Sequence, residues 1–185
     1  MNMGGLSMQK GWETQSPRHV SAEEFCGAMR QLAASVALAT TVQNNRPAGL
    51  TVSSFCSLST EPPRILVCVN KNSATYQSLK IGAPLAVNVL AHGQNALAMR
   101  FASSRHSGES RFAEGSWSTL VSGAPVLADC LTTFDCDIAE VHDGGTHGIV
   151  VADVLALAEP GCREPLLYCD GGFGMMKRSP EKSDA

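Results

Sequence analysis

The run Thr51-Val52-Ser53-Ser54-Phe55-Cys56-Ser57-Leu58-Ser59-Thr60 crowds small hydroxyls together with no charged residue among them. Hydroxyls of this kind, with neighbouring backbone N–H groups, suit a neutral or anionic ligand rich in acceptors. The lack of bulk lets a flat ring lie against the backbone. Asn70, Lys71 and Ser73 follow the next apolar run, and Asn88 interrupts a third. Lys71 beside the start of a helical segment at 73–81 favours a phosphate, because N-terminal N–H groups and a cation converge there. The same stretch reads equally well as a serine-rich turn between two core strands.

Other chemistries lack their residues. G-x-S-x-G is absent, so there is no nucleophile elbow, and no paired-carboxylate or triad pattern appears. The glycines at 171–174 follow a strand, but only eleven residues remain after Gly174, too few for a dinucleotide-binding unit. His142 and His147 with Asp143 between them match no compact metal spacing, and no metal is expected. The seven cysteines, at 26, 56, 68, 130, 136, 162 and 169, are odd in number and form no C-x-x-C pair. Several sit in apolar runs and read as buried reduced thiols of a cytoplasmic protein.

Length and charge bound the class. At 185 residues the chain is expected to form one domain, with polar tails at 1–20 and 176–185 around a unit at 21–175. A net charge of −3, scattered basic residues and 5% aromatics argue against nucleic acid or a membrane surface as partner. No apolar run reaches a membrane-spanning length, and the first residues lack a signal-peptide core.

The elements that must position these groups follow from periodicity. Ser21 and Glu24 form a capping box before a helix whose Phe25, Met29 and Leu32, joined by Cys26 and Ala33, recur on one apolar face. VALATTV, RILVCVN and PLAVNVLA read as strands, SATYQSLKIG as a short helix ended by Gly82, and GQNALAMRFAS as another helix. Residues 104–127 read as a long connection. LTTFDCDIAEVHD, HGIVVADVLALAE and PLLYC add strands late in the chain. Six or seven strands with three short helices, lacking a β-α-β rhythm, predict a mainly β protein: an antiparallel barrel decorated by helices.

Ordered segments from Phe25 to Gly174 also resemble one family. FCGAMRQLAASVALATT, AGLTVSSFCSLSTEPPRILVCVNKNSATYQSL, PLAVNVLAHGQNALAMRFA, GGTHGIVVADV and PLLYCDGGFG are similar to the flavin reductases of two-component monooxygenases. The match is to the type of the 4-hydroxyphenylacetate 3-monooxygenase reductase component. The resemblance implies an FMN-binding, Greek-key split β-barrel and a homodimer with flavin near the subunit interface. It implies an enzyme that reduces FMN or FAD with NADH or NADPH and passes the reduced flavin to an oxygenase. Alternatives on the same scaffold are a flavin-bound reductase of a corrinoid or ferric chelate, and a flavin-binding protein without turnover.

The resemblance also assigns residues. Thr51, Val52, Ser53 and Ser54, with Ser57 beyond, are implied to lie along the flavin ring. Asn70, Lys71 and Ser73 approach the flavin phosphate, Asn88 and Leu90 the ribityl chain, and Arg111-Phe112 match the family's R-F pair. His147 is implied as the catalytic-site residue where the nicotinamide nucleotide docks. Tyr168-Cys169-Asp170-Gly171-Gly172 departs from the basic residues that often end the family's last strand, which bears on nicotinamide preference.

Overall fold

The computed structural model describes residues 19–158 and 164–177. Most of both expected tails, and Cys162, lie outside the described residues. Helix α1 (Ala22–Arg30) begins at the expected capping box: Ser21 Oγ accepts the Glu24 N–H at 3.1 Å, and the Glu24 carboxylate accepts the Ser21 N–H at 2.8 Å. The Ser21 N–H is the main reason the Glu24 carboxyl sits below the usual carboxylate range.

The strands follow as β1 (Ala34–Ser35), β2 (Ala37–Gln43), β3 (Arg46–Val52), β4 (Phe55–Thr60) and β5 (Pro63–Asn70), then a 3₁₀ turn at Ala74–Ser78. Next come β6 (Pro84–Val89), helix α2 (Asn95–Ala102), a second 3₁₀ turn at Gly108–Ala113, β7 (Trp117–Thr119) and β8 (Pro125–Leu127). The long strands β9 (Thr132–Gly144) and β10 (His147–Ala158), with the short β11 (Leu167–Cys169) and β12 (Gly172–Gly174), complete the described elements.

Seven strands form one antiparallel sheet in the order β3-β2-β6-β9-β10-β5-β4. The sheet curls around a core that draws Leu50 and Val52 from one edge together with Ile65, Val67 and Val69 near the other. It does not close. Its edge strands β3 and β4 are consecutive in the chain, so Ser53 and Ser54 cross the open seam. This is the expected mainly β, split-barrel architecture.

The middle of the sheet is covered on both faces. Ala37, Ala39, Leu85 and Val87 point into the barrel, while Val36, Leu38 and Leu90 pack outward under Leu97, Ala98 and Phe101 of α2 and under Leu127 and Leu166. Each such large aliphatic side chain contributes roughly 1.5–3 kcal/mol by leaving water. Both-face burial is why these strands read as continuous apolar runs rather than alternating ones.

Three expectations change. The stretch after Ser54 is not a loop but β4, an edge strand that pairs with β5 from Phe55↔Val67 to Thr60↔Pro63. The helix expected over 73–81 is only a 3₁₀ turn. Leu79 leaves the helical region at φ −85°, ψ 86° and its side chain enters the barrel core, so burial overrides continuation. Gly82 is then no cap; at φ +78° it makes the turn into β6. The 104–127 connection contains the Gly108–Ala113 turn and the β7–β8 hairpin.

Gly49 sits where β3 passes closest to its cover. A side-chain carbon there would stand 3.0 Å from both the Ala39 carbonyl oxygen and the Phe101 ring. Its carbonyl accepts bonds from Thr75 Oγ1 at 3.1 Å and from the Arg111 guanidinium. Gly49→Ala should therefore lower stability by about 1–3 kcal/mol through overpacking. Urea unfolding checks this: an unchanged midpoint would mean Phe101 can move aside at no cost.

Candidate functional site

A cavity of about 690 Å³ opens beside the seam, lined by Ser53, Ser54, Phe55 and Cys56 of the β3–β4 joint, Leu66 and Cys68 of β5, the Met29 and Leu32 side of α1, and Tyr168. That volume lies within the about 300–1,000 Å³ of small-molecule and cofactor sites. Register explains its floor. Val67 faces the core, so its neighbours Leu66 and Cys68 face out, and the Cys68 N–H donates to the Ser54 carbonyl at 2.8 Å. A smaller cavity of about 200 Å³ lies on the other side of Ser53 and Tyr168, lined also by Thr51, Val52, Ala98, Met99 and Phe173.

Tyr168 is held between the two cavities by the β11–β12 hairpin. It packs edge-on against Phe173 with ring centroids 5.4 Å apart. The hairpin turns at Asp170 and Gly171, both at positive φ (48° and 79°), which favours Asp-Gly there. The Asp170 N–H donates to the Arg30 carbonyl at 2.7 Å, tying the hairpin to the end of α1. The residues that depart from the family's basic pattern thus form the turn that seats an aromatic wall.

The sequence-derived residues separate into two groups. Ser53, Ser54 and Ser57 are exposed, and none of their hydroxyls bonds another described residue. Thr51 and Val52 line the smaller cavity, with the Thr51 hydroxyl donating to the Ala98 carbonyl at 2.6 Å. Asn70 lies opposite His147 across the β5–β10 ladder, one outward position beyond Cys68. Both are therefore on the cavity's face of the sheet, and the His147 ring meets the Thr146 hydroxyl at 2.9 Å.

The phosphate corner is already occupied by the chain itself. Lys71 Nζ pairs with Asp143 at 2.6 Å. That hydrogen bond, aided by the Gly145 N–H and the lysine charge, holds the Asp143 carboxyl below its usual range, so the pair persists as pH falls through that range. Asn70 Oδ1 accepts the Asn72 N–H, and Ser73 Oγ donates to the Asn70 carbonyl while capping the Tyr76 N–H. The 3₁₀ turn is too short to carry a helix dipole.

The structure does not bring Asn88, Leu90 or the Arg111-Phe112 pair to either cavity. Asn88 and Leu90 are fully buried on the covered face of the sheet, without surface for a ligand. Asn88 Nδ2 faces the Thr40 hydroxyl at 3.0 Å and the Leu38 and Pro125 carbonyls at 3.3 Å. Its Oδ1 accepts the Leu127 N–H at 2.8 Å and the Thr133 hydroxyl at 3.0 Å. Arg111 donates to the carbonyls of His106, Ser103 and Gly49, and burial pulls its guanidinium below the usual range. Phe112 stacks edge-on against Phe101 and Trp117 at 5.0 and 4.8 Å. These residues hold the outer layer in place.

Sequence reasoning missed Tyr168, Leu66 and Cys68 as cavity walls, and it placed Met29 and Leu32 on one apolar helix face, whereas the helix ends at Arg30 and both residues line the cavity. The alternation Arg64, Leu66, Cys68, Asn70 in β5 carries the missing signal, since every second residue of a strand shares one face.

The description "Flavin reductase like domain" matches residues 29–177. The chain belongs to this family. It is 41% identical to FMN reductase (NADH) RutF 2 of Methylorubrum extorquens, over 92% of this chain and 99% of that protein. It is 38% identical to FMN reductase (NADH) RutF of Agrobacterium fabrum, over 91% and 95%. Among solved flavin reductases, it resembles BorF, the reductase component of a bacterial two-component tryptophan halogenase, at TM-score 0.77 and 29% identity, over 86% of this chain and all of that one. The NADH:FAD oxidoreductase SgcE6 of Streptomyces globisporus, solved with NAD and FAD fragments, aligns at TM-score 0.76 and 28% identity, over 91% and 100%.

Within this flavin reductase fold, Asn88 is a structural bracket. Asn88→Leu strands the Leu127 N–H and the Thr133 hydroxyl without their acceptor, each at about 1–3 kcal/mol. A loss of about 2–5 kcal/mol in urea unfolding is expected. A variant of native stability that has lost only flavin affinity would restore Asn88 to the ligand site.

Proposed function

We propose that the chain is an NADH-dependent flavin reductase that takes FMN in the cavity beside the β3–β4 seam and supplies reduced flavin to a partner oxygenase. The observation that carries this is the seam itself: exposed, unbonded serine hydroxyls next to apolar walls of Met29, Leu32, Phe55, Leu66 and Tyr168. Those donors fit a flat heterocycle with an acceptor-rich edge and apolar faces. When bound, the flavin supplies the hydride-accepting ring, and the protein's task is orientation and a polarising environment.

Ser53 and Ser54 donate to ring acceptors from a backbone fixed by the Ser54–Cys68 bond and by the Thr51–Ala98 bond. Tyr168 covers the cavity and limits water. His147 and Asn70, on the same sheet face, are assigned to the nicotinamide nucleotide side of the site. No general acid or base is needed for hydride transfer, in keeping with a site made of hydroxyls. The Ser53 and Ser54 hydroxyls that line the cavity are few and neutral, which favours exchange with an oxygenase over tight retention of flavin.

The working unit is a homodimer. Phe25 and Met29 on one side of α1 and Leu32 just past its end are 56, 48 and 59% exposed; a second copy is assigned to cover them. Phe25→Lys with Met29→Lys should halve the mass seen in sedimentation equilibrium; an unchanged mass would place the contact elsewhere.

The activity is checked by absorbance at 340 nm, with NADH loss scaling with added FMN. Ser54→Leu should lower kcat/KM for FMN by about tenfold or more, since that is about 1.4 kcal/mol of lost orientation. Its stability should stay within about 0.5 kcal/mol, because Ser54 is exposed. Normal FMN binding by that variant would return the stretch to a plain edge of the sheet.

A further inference from the structure

Six cysteines lie among the described residues, all as free thiols. Cys130 and Cys136 are sealed in the cores, and burial pushes Cys136 up to about 12. Burial keeps both away from reagents in solvent. The other four converge on one corner of the molecule. Cys26, Cys56 and Cys68 all line the 690 Å³ cavity. Cys169 lies 3.8 and 3.5 Å from the Arg30 and Gln31 carbonyls, and Arg30 lines that same cavity.

The convergence follows from register. Cys56 stands opposite Leu66, and Cys68 is bonded to Ser54, so both thiols share the outward face that carries the seam serines. Cys26 enters from α1 above that face. The thiols differ in reactivity. Burial, joined by neighbouring Cys56, raises Cys68 above the usual thiol range. Cys56 is exposed on the cavity wall.

We propose that this cavity is an oxidant-modifiable thiol site in which Cys56 reacts with hydrogen peroxide, and that the oxidised wall excludes flavin. The second half rests on the flavin reductase reading above. The oxidant is the two-electron product of dioxygen with any reduced flavin that no oxygenase consumes. Cys56 sulfur attacks one peroxide oxygen: an S–O bond forms, the O–O bond breaks, and the departing hydroxide takes the thiol proton and leaves as water. A thiol reductant then attacks the sulfenic sulfur: an S–S bond forms, the S–O bond breaks, and a second water leaves. A second reductant thiol displaces Cys56, so two reductant thiols lose two electrons and two protons, and one peroxide becomes two waters. The consequence is a reductase that stops when its product is being wasted, and a thiol reductant restores it.

The test uses the full chain, treated with about a tenfold excess of hydrogen peroxide, quenched with catalase and trapped with dimedone before peptide mass spectrometry. Cys56 should carry most of the label. Saturating FMN should lower that modification about fivefold, because ligand and reagent share the cavity. FMN binding should fall in the oxidised protein and recover with dithiothreitol. Cys56→Ser, compared with its own untreated sample, should keep its FMN binding after peroxide. Label that favours Cys169 over Cys56, label indifferent to FMN, or equal sensitivity of Cys56→Ser would each overturn the proposal. Labelling at Cys56 in a chain without NADH oxidation supports the thiol site and counts only against the reductase reading.

Discussion

A sheet buried on both faces leaves no solvent side on which a polar residue can rest, and that constraint organises this molecule. Thr40, Asn88, Thr133 and Asp135 all sit fully buried on the outer face of β2, β6 and β9. Unpaired, each would cost about 1–3 kcal/mol. Each is paired instead. Asn88 joins Thr40 and Thr133 across three strands and reaches out to Pro125 and Leu127, while the Asp135 carboxylate accepts the Ser122 N–H and hydroxyl. The pairing is specific in direction, so it fixes where the β8 segment lies on the sheet. Through Trp117 opposite Leu127, and the Phe101–Phe112–Trp117 cluster, it also sets the position of α2. The Ala98 carbonyl of α2 then receives Thr51, at the last turn of chain before the seam.

The seam is where this rigidity meets function. β3 and β4 are edge strands that follow one another directly, so two unpaired sheet edges lie on either side of Ser53 and Ser54. Unpaired edges ordinarily invite association and are blunted by charge or proline. Here the edge strand β4 carries hydroxyls and ends at Thr60, just before Pro62-Pro63, and the neighbouring space is a cavity rather than a ladder. A ligand with acceptors along one edge would satisfy donors that a further strand would otherwise have paired. Close approach requires small side chains at this point, which is what the sequence supplies.

The fold was largely legible because the long strands and the α1 cap depend on local signals: β-branched runs, the Asn44-Asn45 turn, and the Ser21–Glu24 pair. The elements that escaped are those set by tertiary contacts. Leu79 leaves its helix because the barrel end needs a plug, and β7, β8 and β12, each of three residues, exist only because the sheet offers them a surface. The site was half legible for a related reason. A polar residue in an apolar run signals either a ligand contact or a buried bracket. Ser54, in the joint between β3 and β4, and Asn88, within β6, differ in what covers them. Ser54 is open to solvent; Asn88 lies under α2 and the β8 segment, and neither cover is visible in the residues around it.

Helix α1 poses the remaining physical question. It has nine residues, a good cap and no buried side chain. Isolated helices shorter than about 12–15 residues are marginal in water, because one nucleus must be offset by few hydrogen bonds. A cap adds about 1 kcal/mol, which does not close that gap alone. Two ties to the rest of the chain are on its last turn, where the Arg30 carbonyl accepts Asp170 N–H and lies near the Cys169 thiol. They anchor one end, and among the described residues Phe25 and Met29 of the helix and Leu32 just past its end stay largely exposed. Covering them would add the stabilisation that the cap and the two ties leave short, which is the physical argument behind the proposed second copy. The same helix walls the cavity through Met29, with Leu32 just past its end, so whatever holds α1 in place also sets the shape of the cavity.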